Sequence, residues 1–394
     1  MAHKIVLCSD GTGNAFSTQV SNVTRLIKLM DLSQPEKQSV FYDQGIGTDP
    51  LQIEKVTEYR DERREERAAL TVLDPPVRVW PVRYAARGAG LVFGLGLKSN
   101  VKQLYKALAD SYEDGPPDTR SVIYLIGFSR GAFTVRVLAG LIHRCGLLRP
   151  NHPHFSAAFN RAYRLYKPHR PDKTTVERFK SDEHVSTPCV RFLGIWDTVK
   201  SYGGIWPRSL PHLRHNHSVE CVRHALSLDE QRSWFLPTSW GGIDSDLPRA
   251  EEHTRCRSQS VEEIWFRGSH SDVGGGLEDD TASKAPLRWM LNEAARAGLE
   301  LTAEGWAAAA ASDPVNVTPF NSMTRRWLFS EYVPRWELDN HFDPPKRYFK
   351  CGRIGVRHPA DFSRNQMVRV HSGVGPIQDI VTSYVETRIA SPTV

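Results

Sequence analysis

Short apolar runs recur along the first two thirds of the chain, and each ends in a glycine-rich or polar loop. Apolarity on successive residues, rather than on alternate ones, is typical of strands that are buried on both faces. The predicted strands are Lys4–Ser9, Ser39–Asp43, Val122–Ile126, Val190–Trp196 and Glu263–Arg267.

Segments with apolar residues at helical spacing lie between these runs. They predict helices that begin near Ser21 or Asn22, near Ser99 or Asn100, after Gly131 and near Leu287. Repeated alternation of strand and helix implies right-handed crossovers and a mostly parallel sheet with helices on both faces. We therefore predict an α/β fold of the α/β-hydrolase type, with functional loops at the carboxyl ends of its strands.

Several segments depart from this alternation. Residues 54–67 mix acids and bases and predict a solvated helix or a flap near the site. Residues 150–188 predict an inserted helical piece that could lie as a cap over the pocket, and Val219–Leu228 predicts a further helix. We expect a hydrolase core over 1–310, with insertions at about 50–90 and 150–188, and a C-terminal extension packed on it over 311–394. In that extension Trp327, Trp336 and Phe342 are interpreted as packing groups.

The central motif is Gly127-Phe-Ser129-Arg-Gly131, which stands between the strand Val122–Ile126 and a helix closed near Gly146. A G-x-S-x-G pentapeptide in a strand–turn–helix context is typical of a nucleophile elbow, in which a sharp turn presents the serine above the sheet. The flanking glycines let strand and helix approach closely. We predict that Ser129 is a nucleophile; the alternative is a tight turn whose serine only caps the helix.

The strand ends then present Asp197 and His270 in that order. Nucleophile, acid, base is the chain order of α/β-hydrolases. In this interpretation Ser129 attacks a carbonyl carbon, His270 moves the proton, and Asp197 fixes the imidazole tautomer.

Other residues compete for these two roles. Asp272 is the main rival acid, although its position two residues after His270 suits a turn-organising role better. His224 and His371 are weaker rivals for the base.

The tetrahedral oxyanion needs backbone N–H donors. The N–H of Arg130, directly after the serine, is the first candidate. Gly11 and Thr12, in the loop after the first strand, are candidates for the second donor, and Asp10 is expected to hold that loop in shape.

Composition narrows the class of protein. Of 394 residues, 40% are hydrophobic and 24% charged, as in ordinary globular proteins. The net charge of +6 is mild: it is compatible with an anionic substrate or peripheral contact with an anionic membrane, but a charge spread evenly over the surface is the simpler interpretation. No basic block indicates nucleic-acid binding.

The six cysteines are scattered without a C-x-x-C pair, which indicates free thiols rather than a disulfide frame or a zinc site. No signal peptide and no apolar run of spanning length is evident. We therefore expect a protein that is cytoplasmic, or exported without a cleaved signal peptide.

Six motifs carry a resemblance to a known family. The sequence resembles the α/β-hydrolase family called domain of unknown function 2235 (DUF2235), which includes catalytic domains of type VI secretion phospholipase effectors. The motifs span about residues 3–300 and are Asp10-Gly-Thr-Gly-Asn14, Tyr42-Asp-Gln-Gly-Ile-Gly-Thr48, Gly127-Phe-Ser-Arg-Gly-Ala132, Phe192-Leu-Gly-Ile-Trp-Asp-Thr-Val199, His224-Ala-Leu-Ser-Leu-Asp-Glu230 and Gly268-Ser-His-Ser-Asp-Val-Gly-Gly-Gly276. The resemblance implies a triad on Ser129, Asp197 and His270 and hydrolysis of phospholipid acyl esters. The effector relatives are similar in the hydrolase core and carry a large added membrane-binding region, whereas about a hundred residues follow the core here.

The residues and the resemblance together favour a serine esterase or lipase, with a phospholipase as one form, that uses no metal or other cofactor. A non-catalytic binding or scaffold protein of the same fold is the alternative. Asp10-Gly-Thr12 also resembles the haloacid-dehalogenase phosphatase motif, but the nucleophilic aspartate of that motif would fall on Cys8.

Overall fold

The computed structural model describes residues 2–11, 20–44, 69–73, 96–168, 172–199, 210–213, 216–240, 256–313, 317–324, 327–329, 332, 334–339, 346–350, 368–370 and 389–390. Several predictions lie outside these residues: the charged segment 54–67, Thr12, His371 and Phe342. The side chain of Trp336 lies outside them as well.

A parallel sheet forms the centre of the described structure. Its nine strands follow the order β11-β10-β7-β6-β5-β4-β1-β2-β3, and each pairing is parallel. This confirms the α/β prediction. The strands are β1 (Lys4–Ser9), β2 (Gln38–Asp43), β3 (Leu70–Leu73), β4 (Val122–Phe128), β5 (Val190–Trp196), β6 (Val219–Ser227), β7 (Ser260–Phe266), β10 (Val368–Val370) and β11 (Ile389–Ala390). A separate antiparallel pair consists of β8 (Arg335–Asp339) and β9 (Lys346–Lys350).

The chain reverses its direction of travel across the sheet between β1 and β4. From β1 it moves outward to β2 and β3, and after β4 it moves the other way through β5, β6 and β7. Loops after β1 and β4 therefore diverge and leave a crevice at the carboxyl ends of these strands, where ligands bind in open α/β sheets.

Helices cover both faces of the sheet. They are α1 (Asn22–Leu29), α2 (Leu97–Ser111), α3 (Arg130–Cys145), α4 (Phe155–Tyr166), α5 (Lys173–Asp182), α6 (His270–Gly274), α7 (Lys284–Arg296) and α8 (Ala303–Ala310), with a 3₁₀ turn at Ser233–Phe235. Along β1, Ile5 and Leu7 join the core packed with α2 to α5, whereas Val6 and Cys8 join the core packed with α1, α7 and α8. Both sides of each central strand are thus apolar, which explains the continuous apolar runs.

The inserted segment 150–188 is helical, as predicted, and forms α4 and α5. Its contacts fall on the second half of α3: Arg144 donates to the carbonyl of Tyr166 at 2.7 Å, and the Cys145 thiol donates to the carbonyl of Ala162 at 3.4 Å. These contacts lie roughly 20 Å along the helix from its first turn. The described helices therefore flank α3 instead of lying as a cap over its amino terminus.

The predicted helix at Val219–Leu228 is wrong, because this segment is strand β6. All its residues are buried except the half-buried Cys221, and it pairs with β5 on one side and β7 on the other. The demand for a buried central strand outweighs the helix-like spacing of its apolar residues.

The expectation of free thiols is wrong for one pair, because Cys189 and Cys256 form a disulfide. Cys189 directly precedes β5, and Cys256 precedes β7, so the bond ties together two strands that β6 separates. The other described cysteines, Cys8, Cys145 and Cys221, are free thiols. Within the described ranges, no helix combines the length and the apolarity that crossing a bilayer requires.

Candidate active site

Ser129 occupies the sharp turn between β4 and α3. Its backbone has φ 57° and ψ −117°, an unfavourable conformation for a residue with a Cβ, and strain of this kind is concentrated at functional sites. The neighbouring glycines permit the turn. A Cβ on Gly131 would lie 2.0 Å from the carbonyl oxygen of Ser9, and one on Gly127 would lie 2.7 Å from the Cα of Ala132.

Three predicted site residues meet in a chain of hydrogen bonds. His270 is the first residue of α6, and its Nε2 lies 2.8 Å from the hydroxyl oxygen of Ser129. Its Nδ1 lies 2.6 Å from Oδ2 of Asp197. The three side chains come from the carboxyl ends of β4, β5 and β7 and are buried.

Hydrogen bonds to strand β6 fix the position of Asp197. Its N–H donates to the carbonyl of Ala225 at 2.7 Å. Its carboxylate accepts from the Ser227 N–H at 3.1 Å and from the Ser227 hydroxyl at 3.2 Å. The carboxylate is therefore surrounded by donors that stabilise its charged form.

Burial lowers the pKa of His270 below its ordinary value of 6.5, and the neighbouring Asp197 opposes this shift. The imidazole lies between two aromatic rings, with centroid distances of 4.7 Å to Phe128 and 4.9 Å to Phe235. These apolar neighbours exclude water, which disfavours the imidazolium. A neutral imidazole at neutral pH is the form that can accept a proton from a serine.

The candidate oxyanion donors differ in their hydrogen-bonding environment. Arg130 begins α3, so its N–H is at a helix amino terminus, and burial lowers the pKa of its guanidinium to about 10. The N–H of Gly11 donates to Oδ1 of Asp10 at 2.7 Å. Asp10 also accepts from the hydroxyls of Ser21 and Tyr42 and so joins the ends of β1 and β2 to the cap of α1.

The two rival residues that the structure describes, Asp272 and His224, have hydrogen-bond partners other than Ser129 and His270. Asp272 accepts from the N–H and the hydroxyl of Ser269 in the capping box of α6, which is the turn-organising role expected of it. His224 contacts Thr198 and Glu263. Among the described residues, no group of His, Cys, Asp and Glu side chains could hold a metal ion.

Comparison with known families places this geometry in context. The family model for the type VI secretion system phospholipase effector Tle1-like catalytic domain matches residues 3–293. The chain belongs to this family. The match begins at β1 and ends within α7, and it includes Ser129, Asp197 and His270. Membership of a Tle1-like catalytic domain family supports a hydrolase.

Individual relatives of this Tle1-like chain are distant. The uncharacterized protein YEL023C of Saccharomyces cerevisiae is 29% identical over 245 residues, which are 59% of this chain and 32% of the yeast protein. An uncharacterized protein from Pseudomonas aeruginosa has a solved structure with 18% identity, a TM-score of 0.38, and coverage of 79% of this chain and 49% of that one. The Tle1 effector bound to the VgrG spike from the type 6 secretion system gives 18% identity, a TM-score of 0.30, and coverage of 70% and 51%. The chain thus spans about a third of the yeast relative and about half of each solved chain.

Glu230 supports this site although its sequence context predicts no role for it. Its buried carboxylate accepts from the His270 N–H at 3.1 Å and binds the Arg232 guanidinium through two bonds of 2.8 and 2.7 Å. It also accepts from the Ser322 hydroxyl, and Asp272 accepts from the Phe320 N–H at 2.8 Å. Residues beyond the family match therefore contact helix α6, which begins at His270, and the Glu230 carboxylate that binds the His270 N–H. Only its place in a quoted motif singled out Glu230, because nothing in the sequence brings residue 322 near residue 230.

Proposed function

We propose that this protein is a serine hydrolase that cleaves carboxylic esters through an acyl-enzyme. The observation that carries the proposal is the continuous chain of hydrogen bonds from Ser129 through His270 to Asp197, at 2.8 and 2.6 Å. A serine with a strained backbone, a base with a lowered pKa and a buried carboxylate are the three components of an activated nucleophile.

In the proposed reaction Oγ of Ser129 attacks the ester carbonyl carbon while Nε2 of His270 takes its proton. The oxyanion is stabilised by backbone N–H groups, with that of Arg130 as the first donor and those of Gly11 and Thr12 as candidates for the second. The Gly11 N–H would have to give up its bond to Asp10 for this role. Collapse of the tetrahedral intermediate breaks the bond to the alkoxide, which receives the proton from His270. Water then attacks the acyl-enzyme by the same steps and releases the acid. Asp197 accepts the hydrogen bond that Nδ1–H of His270 donates and stabilises the imidazolium during both steps.

Phospholipids and other lipid esters are the proposed substrate class. The support is membership of a phospholipase effector catalytic domain family. The basic net charge of +6 suits an anionic lipid surface. We propose that residues 1–310 form the hydrolase core and that 311–394 are an extension packed on it. The bonds of Phe320 to Asp272 and of Ser322 to Glu230 support the packing of this part of the extension.

The Cys189–Cys256 disulfide bears on the compartment. Disulfides persist in oxidising environments and are rare in the cytosol. Between a cytoplasmic and an exported protein, the bond supports the exported one.

The test is labelling of the purified protein with a fluorophosphonate probe beside Ser129→Ala. We expect the wild type to be labelled and the variant not, with both giving the same thermal unfolding curve. A panel of esters with different acyl chains and phospholipid head groups then defines the substrate. A folded wild type that resists labelling would favour the non-catalytic binding protein.

A further inference from the structure

A second buried histidine, His224, lies next to the backbone that follows Asp197. His224 on β6 and Glu263 on β7 are partners in the strand register, and Nδ1 of the imidazole lies 2.8 Å from Oε1 of the carboxylate. His224 is fully buried. The proposed reaction gives neither residue a task.

The second ring nitrogen of His224 contacts the backbone of Thr198, the residue after Asp197. Its Nε2 accepts a hydrogen bond of 3.2 Å from the Thr198 N–H. Asp197 has φ 38°, in the left-handed region that residues other than glycine rarely adopt. Such a conformation persists only where the surroundings hold it, and the His224 bond acts on the very next residue.

Only one tautomer of His224 fits both contacts. Because Nε2 must accept from Thr198, the proton resides on Nδ1 and is donated to Glu263. A proton on Nε2 would place an N–H donor opposite the Thr198 N–H donor, with no acceptor between them. Burial lowers the pKa of His224, which favours the neutral form.

Glu263 is fixed in turn by the loop before residue 241. It accepts from the Trp240 N–H and the Ser239 hydroxyl, each at 2.7 Å. Arg136 of α3 donates to carbonyls of the same loop, including that of Ser239 at 3.2 Å. The Thr238 N–H returns to the carbonyl of Thr198 at 2.8 Å, so Thr198 is held through both its N–H and its carbonyl.

We propose that His224, oriented by Glu263, is a positioning residue that sets the backbone at Asp197 and Thr198 and thereby keeps the Asp197 carboxylate on His270. This role rests on the proposed function, because it concerns the acid of the same site. The hydrogen bonds of His224 go to Thr198 and Glu263, so in this proposal it acts on the reaction only through Asp197.

The consequence appears in the pH dependence of the reaction. Three charged groups act on His270: Asp197 raises its pKa, Arg232 lowers it and Glu230 raises it. Glu263, Arg136 and Asp197 act on His224. If the Asp197 carboxylate moves away, His270 loses the neighbour that favours its charged form, and its pKa falls further.

The experiment compares two substitutions at one position. Asparagine places its amide near the position of Nδ1, so His224→Asn keeps a partner for Glu263 and loses the acceptor for Thr198. Glutamine reaches the position of Nε2, so His224→Gln restores that acceptor. The second-order rate constant of fluorophosphonate labelling is measured for each from pH 4.5 to 8, a readout that needs no known substrate.

We expect His224→Asn to label about 10- to 100-fold more slowly, with the acid limb of its pH profile moved to lower pH. His224→Gln should label at a rate within about threefold of wild type, and the acid limb of its pH profile should lie at the wild-type pH. His152→Asn, which removes a histidine bonded to Glu183 at 2.9 Å, is the matched control and should match wild type. Glu263→Gln, nearly isosteric, decides the matter if His224→Asn does not fold, and should slow labelling by about 3- to 10-fold.

The outcomes separate the two proposals. If wild type labels at Ser129 but folded His224→Asn and Glu263→Gln both match it in rate and acid limb, the positioning role is overturned and the proposed function stands. A uniform loss in both His224 variants without movement of the limb would mean that His224 only stabilises the fold. An unlabelled wild type would overturn the proposed function itself.

Discussion

The Ser322 hydroxyl donates a hydrogen bond of 2.9 Å to the buried carboxylate of Glu230. The same carboxylate accepts from the His270 N–H, so one acidic side chain joins a residue near the C-terminal third of the chain to the base of the site. The position of His270 therefore depends on a segment that lies beyond the family match, which ends at residue 293.

Ser322→Ala should weaken both the fold and the site. Loss of one hydrogen bond to a buried charged group lowers the free energy of unfolding by about 1.5–3 kcal/mol. We expect fluorophosphonate labelling to slow by a few fold, because the Glu230 carboxylate that supports His270 loses a donor. Ser33→Ala, which removes an exposed bond of 2.6 Å to Asp31, is the control and should change neither property measurably. Equal behaviour of the two variants in urea unfolding and labelling would contradict this role for Ser322.

Gly131→Ala should destabilise the fold severely. The added Cβ would lie 2.0 Å from the carbonyl oxygen of Ser9, so α3 would have to move away from β1. Overpacking against backbone costs about 3 kcal/mol. Gly115→Ala is the control, because its Cβ would meet only the exposed Thr119 hydroxyl at 3.2 Å. Urea midpoints measured at a common slope compare the two, and a wild-type midpoint for Gly131→Ala would refute the close approach.

Stability should fall as the pH drops below the ordinary histidine value of 6.5. Burial lowers the pKa of His224 and of His270 in the folded state, and the half-buried His3 shifts in the same direction. The unfolded chain therefore binds more protons in this range, and each histidine contributes a slope of at most about 1.4 kcal/mol per pH unit. The Glu263 pKa is also lowered, so its contribution is present above the ordinary value of 4.5 and is lost below it.

Urea unfolding at pH 7.5 and 5.5 isolates the histidine contribution. We expect a lower free energy of unfolding at pH 5.5 and a smaller difference between the two pH values in His224→Gln. An unchanged difference in that variant would assign the effect to the other histidines.

Reduction of the Cys189–Cys256 disulfide should lower the melting temperature. The bond joins residues 67 positions apart, and closing a loop of this order stabilises a fold by about 2–4 kcal/mol. Cys189→Ser should melt lower than wild type without reductant and be insensitive to it. Cys221→Ser, which removes a half-buried free thiol, should keep the sensitivity to reductant. Alkylation of Cys189 and Cys256 in the unreduced, unfolded wild type would show that the bond is absent.

The sequence predicts those parts of the molecule that local pattern determines. Apolar runs identify β1, β2, β4 and β5, and the pentapeptide around Ser129 identifies the turn, because both signals lie within a few residues. Local pattern predicts neither the strand β6 nor the disulfide. The strand is defined by neighbours on both sides, and the cysteines approach each other only after the sheet has formed.

Local pattern does not predict the supporting residues of the site either, for a similar reason. Asp197 and His270 are visible in sequence because they follow strands. The tasks of Glu230 and His224 depend on Ser322 and Thr198, which are distant in sequence and adjacent only in space. Polar side chains that act through a neighbour's backbone leave no spacing pattern.

The position of β1 in the sheet has a consequence for the order of folding. Lys4 pairs with Val122, so β1 cannot acquire one of its two neighbours until all the chain up to β4 has been made. Strands β4 to β7, in contrast, occupy the sheet in the order of synthesis. The half of the sheet from β4 to β7, which positions Ser129, Asp197 and His270, can therefore assemble through connections that are each shorter than the one from β1 to β4. Completion of the crevice beside β1 requires closure of that longer loop, which costs more entropy. A nascent chain would hold the aspartate and the histidine near the serine before the Gly11 side of the pocket is in place.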